Sequence, residues 1–203
     1  MTLRKNTLGV LAATLVLSLA GAASAANILV NGDFETGDLT GWEVAGVSPN
    51  SNVTADGTDN GPSEPGMYNA YMENFAPALG LLLKQVTPVG SAGEGDVYYS
   101  FDLKLDQADV GGVLFAEIFA EQEGVGIIGG SGLMGPFWPW NDWVQYSDYF
   151  VAPAGTDFLT IQFVATTGAA DGSSCVAHVD NVVLDQGSVA TEGSSWSGLK
   201  ALY

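Results

Sequence analysis

Nine consecutive residues, Val97-Tyr98-Tyr99-Ser100-Phe101-Asp102-Leu103-Lys104-Leu105, carry apolar side chains at every odd position, and their even positions are polar after Tyr98. A period of two puts alternate side chains on opposite faces, so this segment is a strand with one face in a core. Phe158 to Ala165 repeats the pattern, with Leu159, Ile161 and Phe163 opposed to Thr160 and Gln162. Further strands are predicted over Met67–Phe75, Leu81–Val86, Val113–Gln122, Val144–Val151 and Cys175–Leu184. Turn clusters separate them at Asp56-Gly57, Asn60-Gly61-Pro62, Ser91 to Gly95, Gly129 to Gly132 and Asp171-Gly172. No helical stripe is sustained. Roughly eight short strands with Gly-rich turns imply an all-β sandwich of two antiparallel sheets.

The chain has 203 residues, a length that suits one domain, and its 47% hydrophobic content supports a core. Only 5 Lys and Arg stand against 23 Asp and Glu, giving a net charge of -18. That balance excludes nucleic acid, whose phosphates are bound by basic side chains, and disfavours an anionic membrane surface. A single Cys, Cys175, cannot form an intramolecular disulfide.

Residues 1–25 read as a secretory signal peptide. Arg4 and Lys5 precede an apolar run from Leu8 to Leu19, and Ala23-Ser24-Ala25 forms a small-residue cleavage site. The run is shorter than the ~20 residues of a membrane span. Cleavage after Ala25 predicts an exported, secreted or surface-held protein with no membrane span. Residues 26–186 then form the domain. A small, polar tail of residues 187–203 carries Trp196, Leu199, Lys200 and Leu202, a pattern suited to docking on a surface or an enzyme complex.

Two motifs at the ends of the domain stand out. One is Asn27-Ile28-Leu29-Val30-Asn31-Gly32-Asp33-Phe34-Glu35 followed by Gly41-Trp42. The other runs from Trp143, Tyr146 and Phe150 through Ala152-Pro153-Ala154-Gly155-Thr156 to His178-Val179-Asp180-Asn181-Val182-Val183-Leu184. Together they resemble the galactose-binding-like jelly rolls of carbohydrate-binding modules attached to xylanases and glucanases. The resemblance spans residues 26–186 and implies that the two ends lie side by side around a structural Ca²⁺. It maps metal ligands onto Glu35 and Asp180, and Asp33 is a further oxygen donor nearby; carboxylates and turn carbonyls suit that ion. It also places Trp143 in the core, at the start of a strand.

A sugar site needs flat aromatic rings fringed by hydrogen-bonding side chains. The segment Gly135-Pro136-Phe137-Trp138-Pro139-Trp140-Asn141-Asp142-Trp143 is rich in rings and braced by two prolines, so it reads as a rigid loop. Trp138, Trp140 and Asn141 are its candidate ligand residues. The second candidate is the face of the Val113–Gln122 strand that carries Phe115, Glu117 and Phe119. Of Tyr68 and Tyr71, which alternate, at most one can line the same surface.

Catalysis is poorly served. His178 is the only His, no Ser stands in a G-x-S-x-G elbow, and Cys175 and His178 form neither a zinc site nor a dyad by spacing alone. Glu117-Ile118-Phe119-Ala120-Glu121 has the outer pair of the Glu-x-Asp-x-Glu strand of jelly-roll glucanases, but Phe119 replaces its central Asp. The expectation is a non-catalytic, calcium-stabilised module that binds a polysaccharide, neutral or cationic given the acidic surface. A structural surface or matrix protein without a sugar ligand is the alternative.

Overall fold

The computed structural model describes residues 27–187, and the signal peptide and all but the first residue of the tail lie outside the described residues. Eleven strands follow in order: β1 (Glu43–Ala45), β2 (Ser51–Asp56), β3 (Asn69–Asn74), β4 (Gly80–Val86), β5 (Gly95–Asp109), β6 (Val113–Gln122), β7 (Gly126–Gly130), β8 (Met134–Phe137), β9 (Val144–Ala152), β10 (Phe158–Thr166) and β11 (Ser174–Asp185). They build two antiparallel sheets. One runs β1-β4-β10-β6-β7, with β8 also paired to β6, and the other runs β2-β3-β11-β5-β9. Neighbours in space are mostly distant in sequence, as in a jelly roll.

The alternation dictates which face each strand buries. Val97, Tyr99, Phe101, Leu103 and Leu105 of β5 all point inward, as do Leu159, Ile161 and Phe163 of β10. Their rings key the two sheets together: Phe101 packs edge-on against Phe163 with centroids 5.1 Å apart, and against Phe137 at 5.8 Å. Such pairs add about 0.5–1.5 kcal/mol each beyond burial.

Sequence patterning missed four strands. β1, β2, β7 and β8 are short or Gly-rich, and the predicted turn Gly129–Gly132 in fact begins as the end of β7. The ring-rich segment also starts as strand rather than loop, because Gly135, Pro136 and Phe137 belong to β8, which pairs with β6 through Met134 and Phe137.

The two end motifs lie side by side. Ile28 donates its N–H to the Leu184 carbonyl (2.9 Å), and Val182 donates to the Gly32 carbonyl (2.8 Å). The Asn27 amide spans β11, donating to the Val182 carbonyl at 2.8 Å and accepting from the Leu184 N–H at 3.0 Å. Gly32 is required there, since a Cβ would lie 2.2 Å from the Val182 oxygen.

Candidate functional site

The outer face of the five-stranded sheet is built in rows by its register. Thr54 of β2, Tyr71 of β3, His178 of β11 and Lys104 of β5 lie abreast across four strands. Trp143 ends this row, one residue before β9 begins at Val144, which pairs with Leu103. The neighbouring row is Asn52, Glu73, Val176 and Gln107. A third row contains Asp56 with Asn69, and Asp180 with Asp102 and Gln145.

Charge and rings are interlocked in the middle row. His178, only 4% exposed, lies against Tyr71 (centroids 5.0 Å apart) and edge-on to Trp143 (5.8 Å). Lys104 Nζ donates to Asp59 at 2.9 Å and reaches Asp106 at 3.3 Å. Burial opposes the charge on Asp59, but the hydrogen bond and charge of Lys104, helped by the Trp143 indole, outweigh it and hold its carboxyl below the ordinary value. Burial likewise opposes the charge on Lys104, and Asp59 and Asp106 outweigh it in turn, raising its ammonium. Burial first, then the charges of Glu73 and Asp106, push the Tyr71 hydroxyl up. The Trp143 Nε1–H is buried beside Asp59 without a hydrogen bond of good geometry.

The third row is roofed. Residues 57–66 fold over it, with the Gly61 N–H donating to Asp180 Oδ2 (2.7 Å) and the Ser63 N–H to Asp102 Oδ2 (2.9 Å). Gln145 fastens the same loop through Ser63 Oγ at 2.7 Å. The same loop reaches the middle row through Asp59, which accepts from Lys104, and His178 and Val176 lie buried in their rows. Beyond them, Glu73 and Asn52 line a depression of about 690 Å³ together with Asn50, Val47 and Phe75.

The ligand residues expected from sequence fall into two sets. Trp138 and Trp140 are 48% and 44% exposed, and their rings stack at 6.2 Å with an interplanar angle of 26°. Their loop runs beside β5: Leu105 donates to the Pro139 carbonyl (2.8 Å), and Asn141 donates to the Leu105 carbonyl (3.0 Å). That pairing carries the loop to the end of the middle row, next to Trp143. Phe115, Glu117 and Phe119 instead project from β6 on the outer face of the other sheet, opposite in phase to buried Leu114, Ala116 and Ile118. No hydrogen bond, ring pair or cavity among the described residues joins the two sets.

Trp143 is not a core residue as expected. It lies half-buried on the outer face against His178, because its place one residue before Val144, the partner of inward Leu103, sets it in phase with outward Lys104. Cys175 and His178 point to opposite faces, and burial pushes the Cys175 thiol up to about 12. Sequence reasoning did not assemble His178, Lys104, Asp106, Glu73 and Asn52 into a site. Phase was the available signal: His178 alternates with buried Ala177 and Val179, and Lys104 with Leu103 and Leu105.

The expected metal ligands are partly brought together. Glu35 Oε1 accepts the Met67 and Tyr68 N–H groups at 2.7 and 2.8 Å, and its charge acts on Asp180. Asp180 is 1% exposed and pushed up to about 7, first by burial, with Asp102 and Glu35 adding to it and hydrogen bonds from Gly61 and Asn181 opposing. Asp33 turns away, accepting the Glu35 N–H at 3.4 Å and lining a separate depression with Asn31, Glu64 and Asn181. Among the described residues no three His, Cys, Asp or Glu side chains are grouped to hold a metal.

Among the described residues no helix is long and apolar enough to cross a membrane. No family model matches the sequence, and no curated protein matches it. Solved structures do share the fold. The enzymatically active domain of bacteriophage CBA120 tailspike protein 4 superposes with a TM-score of 0.60 at 13% identity, over 78% of this chain and 21% of that one. TmCBM61, solved with β-1,4-galactotriose, gives 0.53 at 15% identity over 80% of this chain and 99% of that one. The CBM22-1 xylan-binding domain of Paenibacillus barcinonensis Xyn10C gives 0.53 at 15% over 81% and 97%. The chain therefore spans about a fifth of the tailspike domain's length but nearly the whole of each binding module. At these identities the likeness is one of fold: this chain is a jelly-roll β-sandwich of the kind used by carbohydrate-binding modules.

Proposed function

We propose that the chain is an exported, non-catalytic glycan-binding module whose ligand lies across the strands of the five-stranded sheet. The observation that carries this reading is a set of rings and polar side chains on and beside its outer face: the depression lined by Phe75, Glu73 and Asn52, the Tyr71 and Trp143 rings against His178, and the exposed, stacked Trp138–Trp140 pair on the loop bonded to Leu105 of β5. Rings of this kind pack on the apolar faces of sugars, and Asn50, Asn52, Asn141 and Glu73 offer hydrogen bonds to hydroxyls. The roof over the third row leaves room for a chain crossing the strands, not one running along them. Five carboxylates on this side, Asp56, Asp59, Glu73, Asp106 and Asp109, favour a neutral glycan over a uronate or a sulfated one.

Calcium belongs to the same reading as a structural ion. Glu35 and Asp180 would hold it where the two ends of the domain meet, away from the glycan path. When bound, it supplies positive charge to a buried carboxylate that has no basic partner. Export follows from the signal-peptide pattern, with cleavage after Ala25.

Affinity electrophoresis through soluble xylan and β-1,4-galactan tests the proposal, since neighbours of the same fold are a xylan-binding domain and a galactotriose complex. Retardation by either polymer, lost in a Trp138→Ala/Trp140→Ala double variant that still folds, is the expected result. No retardation across a wider polysaccharide panel would put a purely structural surface role in its place.

A further inference from the structure

A strand at the margin of a sheet carries a row of unpaired N–H and C=O groups, so natural margins are kept short, interrupted, bulged or charged. Three of the four margins here follow that rule. β1 is three residues long, β2 folds back on Ser48 at its start and ends on Asp56, and glycines and Pro136 break the β7–β8 side. β9 does not. It ends its sheet and pairs with β5 over nine residues without a register shift. It contains neither Pro nor Lys, and its Val144, Tyr149 and Val151 are 38%, 65% and 69% exposed. Its free side makes no backbone hydrogen bond among the described residues; the Tyr149 N–H donates to the side chain of Asp148 at 2.8 Å.

An apolar cavity lies beside that free side. Between β9 and β8, which borders the other sheet, Tyr99, Phe101, Met134, Phe137, Tyr146 and Asp148 line a space of about 190 Å³. Its walls belong to the core, where Phe101 packs against Phe137 and Tyr146 at 5.8 and 6.0 Å. A strand laid along β9 sets alternate side chains in line with inward Tyr146 and Asp148, so one of them enters the cavity while its neighbours point outward. Strand addition takes its affinity from the main chain and its selectivity from pockets of this kind.

Charge selects the occupant. Asp148 lies on β9 itself, Asp96 stands opposite Val151, and Asp185 stands opposite Tyr98 one strand further in. The lysines among the described residues, Lys84 and Lys104, are both held by carboxylates: Glu43 for one, Asp59 and Asp106 for the other. Tyr149 adds an exposed ring backed by Tyr98, with centroids 5.0 Å apart, and such a face attracts a cation. A second copy, carrying the same net charge of -18, is repelled. We infer that β9 is an interaction surface that takes an extended, basic segment of another polypeptide as a sixth strand of its sheet. One apolar side chain of that segment fills the cavity, and its lysines or arginines lie beside Tyr149 and Asp96.

The probe is a capped eight-residue peptide that alternates Val and Lys, set against a block peptide of four Val followed by four Lys. Amide exchange of the labelled chain, read residue by residue by NMR, locates the contact. In an antiparallel ladder an edge strand gives only alternate N–H groups to its one neighbour, so every second β9 amide is free. Those amides are expected to slow at least about tenfold in saturating alternating peptide. Slowing at another margin, or at none, overturns the surface. Equal binding of the block peptide overturns strand addition, because charge alone would then suffice.

Val151→Lys supplies the charge that natural margins use as a guard, at a position exposed enough to leave the fold intact. Affinity for the alternating peptide is expected to fall at least about tenfold, and an unchanged affinity removes β9 from the contact. Replacing each peptide Val by Ser in turn should find one position that costs most, the side chain in the cavity. Equal losses at all positions overturn the part given to the cavity. Sedimentation of the chain alone is expected to show a monomer, and a dimer with slowed β9 amides would make a second copy the occupant and overturn the basic partner.

Discussion

Asp180 and Asp102 face each other across β11 and β5, in register and 1% and 0% exposed, with no basic side chain bonded to either. Their oxygens are spent on the roofing loop: Gly61 and Asn181 N–H groups bond Asp180, and Ser63 and the Asn181 amide bond Asp102. The arrangement fastens residues 57–66 over the third row at the cost of burying like charges together.

The pH dependence of the calcium-free chain follows from Asp180. Its folded value, about 7, lies above the ordinary 3.8, so the folded state holds a proton that the unfolded chain has released. The stabilisation is full below the unfolded value and is lost as pH rises through about 7. In chelator, Tm is therefore expected to fall between mildly acidic and mildly alkaline solution, by the equivalent of a few kcal/mol at most. Asp180→Asn should flatten that slope. A variant with the wild-type slope would assign the effect to another group.

Calcium should act in the opposite direction. An ion held by Glu35 and Asp180 binds the ionised carboxylate and so stabilises the fold most where Asp180 alone destabilises it. At a hundredfold excess over its Kd the gain is about 2.7 kcal/mol, or roughly 5–10 °C in Tm for a domain of this size. Melting curves with and without chelator measure it, and the shift should vanish in Glu35→Gln. An unchanged Tm in calcium removes the ion from these two residues.

The clasp between the domain ends predicts a large effect from a small change. Gly32→Ala would place a methyl group 2.2 Å from the Val182 carbonyl oxygen, backbone that cannot yield without breaking the Val182-to-Gly32 hydrogen bond. Destabilisation of about 3 kcal/mol or more is expected in urea unfolding. Gly90→Ala is the control for space, since nothing lies within 4 Å of its Cβ position, although its positive φ exacts a smaller conformational cost.

Phase made the sandwich legible. β5, β6 and β10 were readable from their alternation, β11 was predicted although it buries both faces, and the end motifs told which termini meet. β7 was not, because its glycines give no alternation, and β8 was hidden by Pro136. The site was legible only in part. The exposed Trp138–Trp140 pair announced itself through its prolines, whereas His178 looked like one more buried strand residue. Its partners come from Asn69 and Asp106, 109 and 72 residues away, and only the cross-strand register brings them to it. Trp143 misled because an indole at the start of a strand reads as core unless its cross-strand register with Lys104 is seen.

The proposed glycan surface can be tested against the other ligand set. Trp138 and Trp140 are nearly half exposed, so replacing both by Ala should leave Tm almost unchanged, within about 1 kcal/mol in total, while removing two stacking surfaces. Retardation by the polymer that binds wild type should fall at least tenfold, the effect of about 1.4 kcal/mol. Tyr71→Ala should weaken it as well, because its ring packs on His178, as does that of Trp143, on the proposed surface. Phe119→Ala, on the outer face of the other sheet, should leave retardation as it is. The reverse pattern, with Phe119 needed and the tryptophans dispensable, would move the ligand to the six-stranded sheet and leave the Tyr71–His178–Lys104 row a structural network.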